Sequence, residues 1–280
     1  MPLVATRYED LRELFQRAVT VRYIAGFQLV TCDADEDVEE ARARMDAHGY
    51  DVLPVLTEGA VLGYVERDSL RTGPCSASEH RLGPADLVAD STPLLELLPI
   101  LQHRLRVFVL QGNRVTGIAS RSDLQKAPVR MLLFTLVTLL EMHLQRLVGT
   151  LYSDAEWPQY LSKPRLQLAE RLRAERHERN EQIELSDCLQ FCDKRDLVTR
   201  FSDSVGHLGF RSRHGLERFL NEAEELRDLL AHGQDLTAGS SWPERIRLIS
   251  ELQWILERME AVNKNMAAGG LAPQIGGHHP

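Results

Sequence analysis

The chain has 280 residues, 43% of them hydrophobic, and a net charge of −8. That length allows about two domains, each able to bury a core. The acidic balance excludes broad electrostatic binding to nucleic acid or anionic membranes, which needs a basic surface, but it leaves room for a small basic site.

The first residues, MPLVATRYEDLRELF, carry acids early and no long apolar core, so they do not read as a secretory signal. The longest strongly apolar run, Met131 to Leu140, ends at Glu141 and falls short of the roughly 20 residues a spanning helix needs. The expectation is a soluble, cytoplasmic protein without a membrane span. Four cysteines are present, Cys32, Cys75, Cys188 and Cys192. The last two are spaced to share a helix face, but no second ligand pair follows them, so they read as ordinary thiols rather than a zinc site.

In chain order, residues 8 to 19 predict an amphipathic helix with Leu11, Leu14, Phe15 and Val19 on one stripe. Phe27 to Thr31 reads as a strand. A helix from about Asp37 turns Val38, Ala41 and Met45 inward. Strands follow at 51–56 and 61–65, then a short helix near Glu66. The pattern then recurs: a helix over 94–101, strands at 106–110 and 115–119, and a turn at Gln111-Gly112-Asn113 between them. Residues 52–70 laid on 106–124 without a gap share six identities: Val55/Val109, Leu56/Leu110, Val61/Val115, Gly63/Gly117, Arg67/Arg121 and Leu70/Leu124. Such an internal repeat is a strong architectural signal. The stretch 71–84, rich in Gly, Ser and Pro, reads as a linker.

Strand signals stop at Ala127. Helices are predicted over 129–151, 165–180 and 187–201, the last with Ser186 as N-cap. Another covers 213–231, with a stripe of Leu216, Phe219, Leu220, Ala223, Leu226 and Leu230 and a stop at Gly233. Ser241-Trp-Pro-Glu244 is a capping box opening a final helix with Ile246, Ile249, Leu252, Ile255 and Met259 inward. The Gly-rich tail, with its closing His pair, reads as disordered.

The two repeats resemble CBS domains, which pair into a Bateman module. In that family the second strand ends in Gly-hydrophobic-x-Thr/Ser-x-x-Asp. The second repeat matches with Gly117-Ile-Ala-Ser120-Arg-Ser-Asp123. The resemblance implies an adenine nucleotide as regulatory ligand, with Ser120 facing phosphate at a helix start and Asp123 accepting from the ribose hydroxyls. The first repeat departs, reading Gly63-Tyr-Val-Glu66-Arg-Asp-Ser69. A glutamate replaces the hydroxyl and a serine the carboxylate, so one working pocket per chain is expected. The plain alternative is that Ser120 and Asp123 only cap the following helix and the pair serves as a scaffold.

The phrase Leu226-Arg227-Asp-Leu-Leu-Ala-His232-Gly is similar to the signature of HEPN domains, all-helical and in many cases RNA-cleaving. The residue after that family's arginine is often Asn; here it is Asp228. Arg42/His48, Arg171/His177 and Arg200/His207 meet a looser spacing, but only Arg227/His232 has four intervening residues. Five residues of regular helix turn about 140° modulo a turn, so the pair converges only if the phase relaxes at the helix end or two chains combine. Arg227 suits phosphate, His232 suits proton transfer near neutral pH, and Glu141, interrupting an apolar helix, is a third candidate. The plain reading of His232 is a capping residue. Residues 127–263 hold 18 Lys and Arg against 22 Asp and Glu, so any RNA must be gripped locally.

The expected fold class is therefore α+β, a CBS pair of two β-α-β-β-α repeats, followed by an all-α HEPN-like domain. The expected divisions are an N-terminal helix within 1–21, the CBS module over 22–126, the helical domain over 127–263 and a disordered tail over 264–280. The expected function is nucleotide-controlled, metal-independent cleavage of single-stranded RNA by a homodimer, with no cofactor for catalysis. The rival is a noncatalytic, ligand-responsive regulatory or oligomerisation protein, and a third possibility is nucleotide transfer to a protein or RNA.

Overall fold

The computed structural model describes residues 8–152, 156–201, 205–206 and 208–267, with side chains to residue 261. His207 and the tail beyond Ala267 lie outside the described residues. The chain divides into two compact units, one of Glu13–Val129 and the other of the residues before and after it.

The first unit contains seven strands among the described residues: β1 (Cys32–Asp33), β2 (Val52–Thr57), β3 (Ala60–Glu66), β4 (His80–Arg81), β5 (Leu87–Ala89), β6 (Arg106–Gln111) and β7 (Arg114–Ser120). They form two sheets, ordered β1-β2-β3-β4 and β5-β6-β7. The hairpins β2–β3 and β6–β7 pair in the same register, with Val55 opposite Gly63 and Val109 opposite Gly117, and each carries an irregularity at the next residue, Leu56 or Leu110. Helices α2 (Val38–His48) and α3 (Leu94–His103) precede the hairpins. Asp37 caps α2 by accepting from Glu39 N–H. Val38, Ala41 and Met45 pack with Leu53, Val55, Val65, Cys32 and Cys75 in one buried cluster, the inward set expected from spacing. Burial is the first cause holding the Cys32 thiol above its ordinary pKa, with the neighbouring Cys75 thiol second.

Two repeat identities have a structural explanation. Arg67 donates to the carbonyls of Met45 and Tyr50 at the end of α2. Arg121 donates to those of Leu101 and Gln102 at the end of α3. Each satisfies carbonyls left open at a helix C-terminus.

Several expectations are corrected. Phe27–Thr31 is not a strand; β1 begins at Cys32, and Gly26 makes an isolated bridge to Ile118. The element closing each repeat is a 3-10 turn, Arg67–Ser69 and Arg121–Gln125, rather than an α-helix. The 71–84 stretch contains a 3-10 turn at Cys75–Ser78 and the short strand β4.

The second unit is helical in its described residues. α4 (Ala127–Leu151), α5 (Lys163–Glu178), α6 (Phe191–Arg200), α7 (Arg213–Ala231) and α8 (Trp242–Ala267) carry it, together with the first turn of α1 (Tyr8–Ala18). α4 is long and apolar enough by composition to cross a bilayer, yet 56% of its most apolar window is buried inside the protein, as in a core helix. Leu132, Leu133, Leu136, Val137, Leu139 and Leu140 are buried. Met131 and Phe134, in the same run, are exposed.

The expected helix 187–201 is interrupted. A 3-10 turn covers Leu185–Cys188, and α6 starts at Phe191 after Gln190, whose N–H donates to Asp193 Oδ2 at 2.9 Å. Asp193, not Ser186, closes that helix start, and Cys188 and Cys192 fall on different elements. In α7, Leu229 rather than Leu230 completes the buried stripe. Ser241 and Glu244 form the expected capping box, Ser241 N donating to Glu244 Oε2 at 2.8 Å. Ile246, Ile249, Leu252, Ile255 and Met259 are buried as expected. α8 continues to Ala267, through the first residues of the expected tail. The α1 backbone docks here: Tyr8 N donates to the buried Glu260 carboxylate, and Arg12 pairs with Glu257 at 3.0 Å.

Candidate functional site

In the second CBS-like repeat, β7 delivers Gly117 and Ser120 to one edge of the sheet. Gly117 is required by close approach: a Cβ there would lie 2.9 Å from the Phe27 ring and 3.1 Å from Gly26 O. Gly26 and Ile118 exchange two backbone hydrogen bonds, of 2.8 and 3.0 Å, which fix that approach. Ser120 donates to Asp123 Oδ2 twice, from its backbone N at 2.7 Å and its Oγ at 2.8 Å. Lys126 Nζ lies 2.7 Å from Asp123 Oδ1. Oδ2 is thus filled by Ser120, while Oδ1 keeps acceptor capacity beside a cation. The carboxylate can meet a hydroxyl and the ammonium an anion. Sequence reasoning passed over Lys126; its only signal was a position three residues after Asp123.

The surroundings of Glu66, the first-repeat counterpart of Ser120, are built differently and draw on both repeats. Tyr64, Glu66, Asp86, Arg104, Arg106 and Phe108 surround a cavity of about 180 Å³. Glu66 pairs with Arg106, and Arg104 pairs with Asp86 at 2.5 Å. The Arg106 guanidinium lies over the Tyr64 ring at 5.5 Å, and Tyr64 packs on Phe108 at 5.2 Å. Burial first, then the Asp86 and Glu66 carboxylates, hold the Tyr64 phenol above its ordinary pKa. Ser69 donates its hydroxyl to Glu66 O at 3.1 Å.

The helical unit has its own candidate site. A cavity of about 400 Å³ is lined by Glu141, Arg176, Asp187, Gln190, Glu224 and Arg227, among others. Arg227 lies over the Phe191 ring at 5.5 Å and donates from Nε and Nη2 to Asp228 Oδ1, at 3.1 and 2.7 Å. Burial opposes its charge, but Asp228 and then Glu141 and Glu224 outweigh burial and raise its pKa. A second cavity of about 300 Å³ shares Glu141 and Asp187 and adds Gln145, Arg146 and Lys194. Lys194, whose side chain is 8% exposed, lines only this second cavity and pairs with Glu141 Oε1 at 2.9 Å.

The structure thus brings Arg227 and Glu141 to one cavity. His232 stands apart from it. It is the exposed C-cap of α7, its N–H still donating to Asp228 O at 3.0 Å. His232 itself already leaves the helical region, with φ −98° and ψ 6°, and Gly233 follows at φ +64°. On a regular helix the two side chains would point about 140° apart, and His232 is not among the residues lining the cavity that holds Arg227. Among the described residues, no cluster of three or more His, Cys, Asp or Glu is placed to hold a metal ion.

Comparison with known proteins matches the CBS domain family twice, over residues 21–73 and 85–130. No curated protein matches the chain. Solved structures similar to it include an uncharacterized conserved protein from Pyrococcus horikoshii, 18% identical, covering 39% of this chain and 90% of that one with a TM-score of 0.35. CBSX2 in complex with AMP is 17% identical, with 40% and 97% coverage and a TM-score of 0.36. The CBS domain of a bacterial CNNM/CorC family Mg2+ transporter in complex with ATP is 17% identical, with 43% and 93% coverage and a TM-score of 0.36. Residues 21–73 and 85–130 are two CBS domains in tandem.

Proposed function

We propose that the CBS pair binds an adenine nucleotide at Gly117, Ser120 and Asp123, and that binding governs the helical unit as a HEPN-like, metal-independent endoribonuclease. The grouping of the Asp123 carboxylate with the Lys126 ammonium supports the sensor half, since it offers a ribose acceptor beside a phosphate partner. For the effector half, the supporting observation is that Arg227 and Glu141 line one open cavity.

In this reading Arg227 grips the RNA phosphate with its planar donors and stabilises charge on the developing phosphorane. The ribose 2′-hydroxyl attacks that phosphate, the 5′-oxygen leaves, and a 2′,3′-cyclic phosphate remains. His232 moves the protons. Because His232 does not line the cavity that holds Arg227, His232 acts from a second copy, so the enzyme is a homodimer. Met131 and Phe134, exposed on α4, add apolar surface for that association.

A second reading is a noncatalytic, ligand-responsive regulator. It is favoured by the pairing of Arg227 with Asp228 and of Glu141 with Lys194, which leaves both groups engaged within the chain. The test is cleavage of labelled single-stranded RNA in chelator, with and without AMP or ATP. Arg227→Ala and His232→Ala should each slow cleavage by about 10² to 10⁴-fold. No cleavage with any nucleotide, or undiminished cleavage by His232→Ala, leaves the noncatalytic reading. For the sensor half, Asp123→Ala should abolish the AMP-induced thermal shift while Ser69→Ala retains it.

A further inference from the structure

The first-repeat cavity carries an inference of its own. We propose that it is an anion site which the protein fills with its own Glu66, closing this repeat to phosphomonoesters. Arg106, with its side chain only 15% exposed, needs an anion near its charge, because a withdrawn guanidinium without one is strongly disfavoured. Glu66 supplies it. In the repeat alignment Glu66 stands where Ser120 stands, and Arg106 stands where Val52 stands. The two repeats differ at both positions, and Glu66 and Arg106 meet each other.

The two partners are held unequally. Arg106 is fixed over the Tyr64 ring and set back in the wall. Glu66 is 40% exposed beside the opening, so its carboxylate is the replaceable member. Arg104 gives a second cation at the rim, itself paired with Asp86. Tyr64 and Phe108 supply aromatic surface next to the guanidinium. Two arginines beside a tilted pair of aromatic rings suit a small phosphomonoester bearing a flat ring. The carboxylate of Glu66 repels that phosphate and occupies its partner. The inference concerns a place distinct from Gly117–Asp123 and does not depend on RNA cleavage.

The experiment is calorimetric titration of the full chain with AMP, for wild type, Glu66→Gln and the double variant Glu66→Gln/Arg106→Met. Glutamine keeps the shape and removes the charge; circular dichroism verifies the fold, and Glu66→Thr serves if glutamine is not tolerated. The expected result is one more equivalent of AMP bound by Glu66→Gln than by wild type. Its affinity should be at least about tenfold above any wild-type binding there, a change of about 1.4 kcal/mol. The double variant should lose that equivalent, and adenosine, lacking phosphate, should not produce it. Counting relative to wild type keeps the result readable if the Ser120–Asp123 site binds nothing. The proposal is overturned if wild type already takes the extra equivalent, if a folded Glu66 variant gains none, or if adenosine gains it equally.

Discussion

Replacing Glu141 with alanine removes the ion-pair partner of Lys194 while leaving that ammonium 8% exposed. Breaking a buried pair from one side costs about 3–5 kcal/mol, because a charge is left uncompensated. Glu141 is 29% exposed, and water can reach part of the vacated space, so about 2 kcal/mol is the expected loss. For a unit of this size that lowers the melting temperature by roughly 4–8 °C. The reverse change, Lys194→Met, deletes the buried charge itself and leaves a carboxylate that water can solvate. It should cost less than half as much. The assay is urea unfolding of both single variants and the double variant, analysed as a mutant cycle. If Lys194→Met costs as much as Glu141→Ala, the ammonium is not the member that depends on its partner, and the reasoning fails. The comparison also guards activity measurements, since a Glu141 variant that loses RNA cleavage must first be shown to be folded at the assay temperature.

Glycine offers a paired test. Gly117→Ala places a methyl against the Phe27 ring and Gly26 O and should destabilise by about 1–3 kcal/mol, whereas Gly149→Ala, in α4 with open space around its would-be Cβ, should stabilise by roughly 0.5–1 kcal/mol; thermal unfolding of the two in parallel checks the opposite signs. His143, 3% exposed, has its pKa lowered from 6.5 to about 4, by burial first and Arg146 second. The unfolded chain therefore takes up a proton that the folded protein refuses as pH falls from 6.5 toward 4. Its stabilising contribution is complete above 6.5 and declines across that window, by about 3 kcal/mol in all. Urea midpoints from pH 7.5 to 4.5 should show a shallower acid decline for His143→Leu than for wild type, and identical slopes would sink the assignment.

The repeat was readable because its identities do the same job twice. Val55 and Val109 face Gly63 and Gly117 across matching hairpins, and Arg67 and Arg121 close matching helix ends. These are short-range constraints, so they leave a pattern in the sequence. The inward stripes of α2, α7 and α8 were legible for the same reason, through period. Phe27–Thr31 misled because β-propensity says nothing about whether a strand edge is available; Phe27 packs against Gly117 instead. Ser186 resembled a cap, but the reciprocal fit between Gln190 and Asp193 set the helix start. The Glu66–Arg106 and Glu141–Lys194 pairs were invisible for a different reason. Each joins residues 40 or more apart, Glu66 to Arg106 and Glu141 to Lys194, and no local pattern encodes such a meeting.

The docking of Tyr8 on Glu260 has a consequence for how the protein is made. Those two residues are 252 positions apart. At about 5–20 residues per second of synthesis, the first turn of α1 leaves the ribosome roughly 13–50 seconds before its partner exists. Between those moments the CBS domains, contiguous in sequence, have everything they need to fold. The helical unit does not; it begins first and finishes last, with the CBS pair completed inside its own unfinished chain. A fragment started at Arg130 would repeat that unfinished condition permanently, leaving the carboxylate of Glu260 without the Tyr8 backbone donor that meets it in the intact protein.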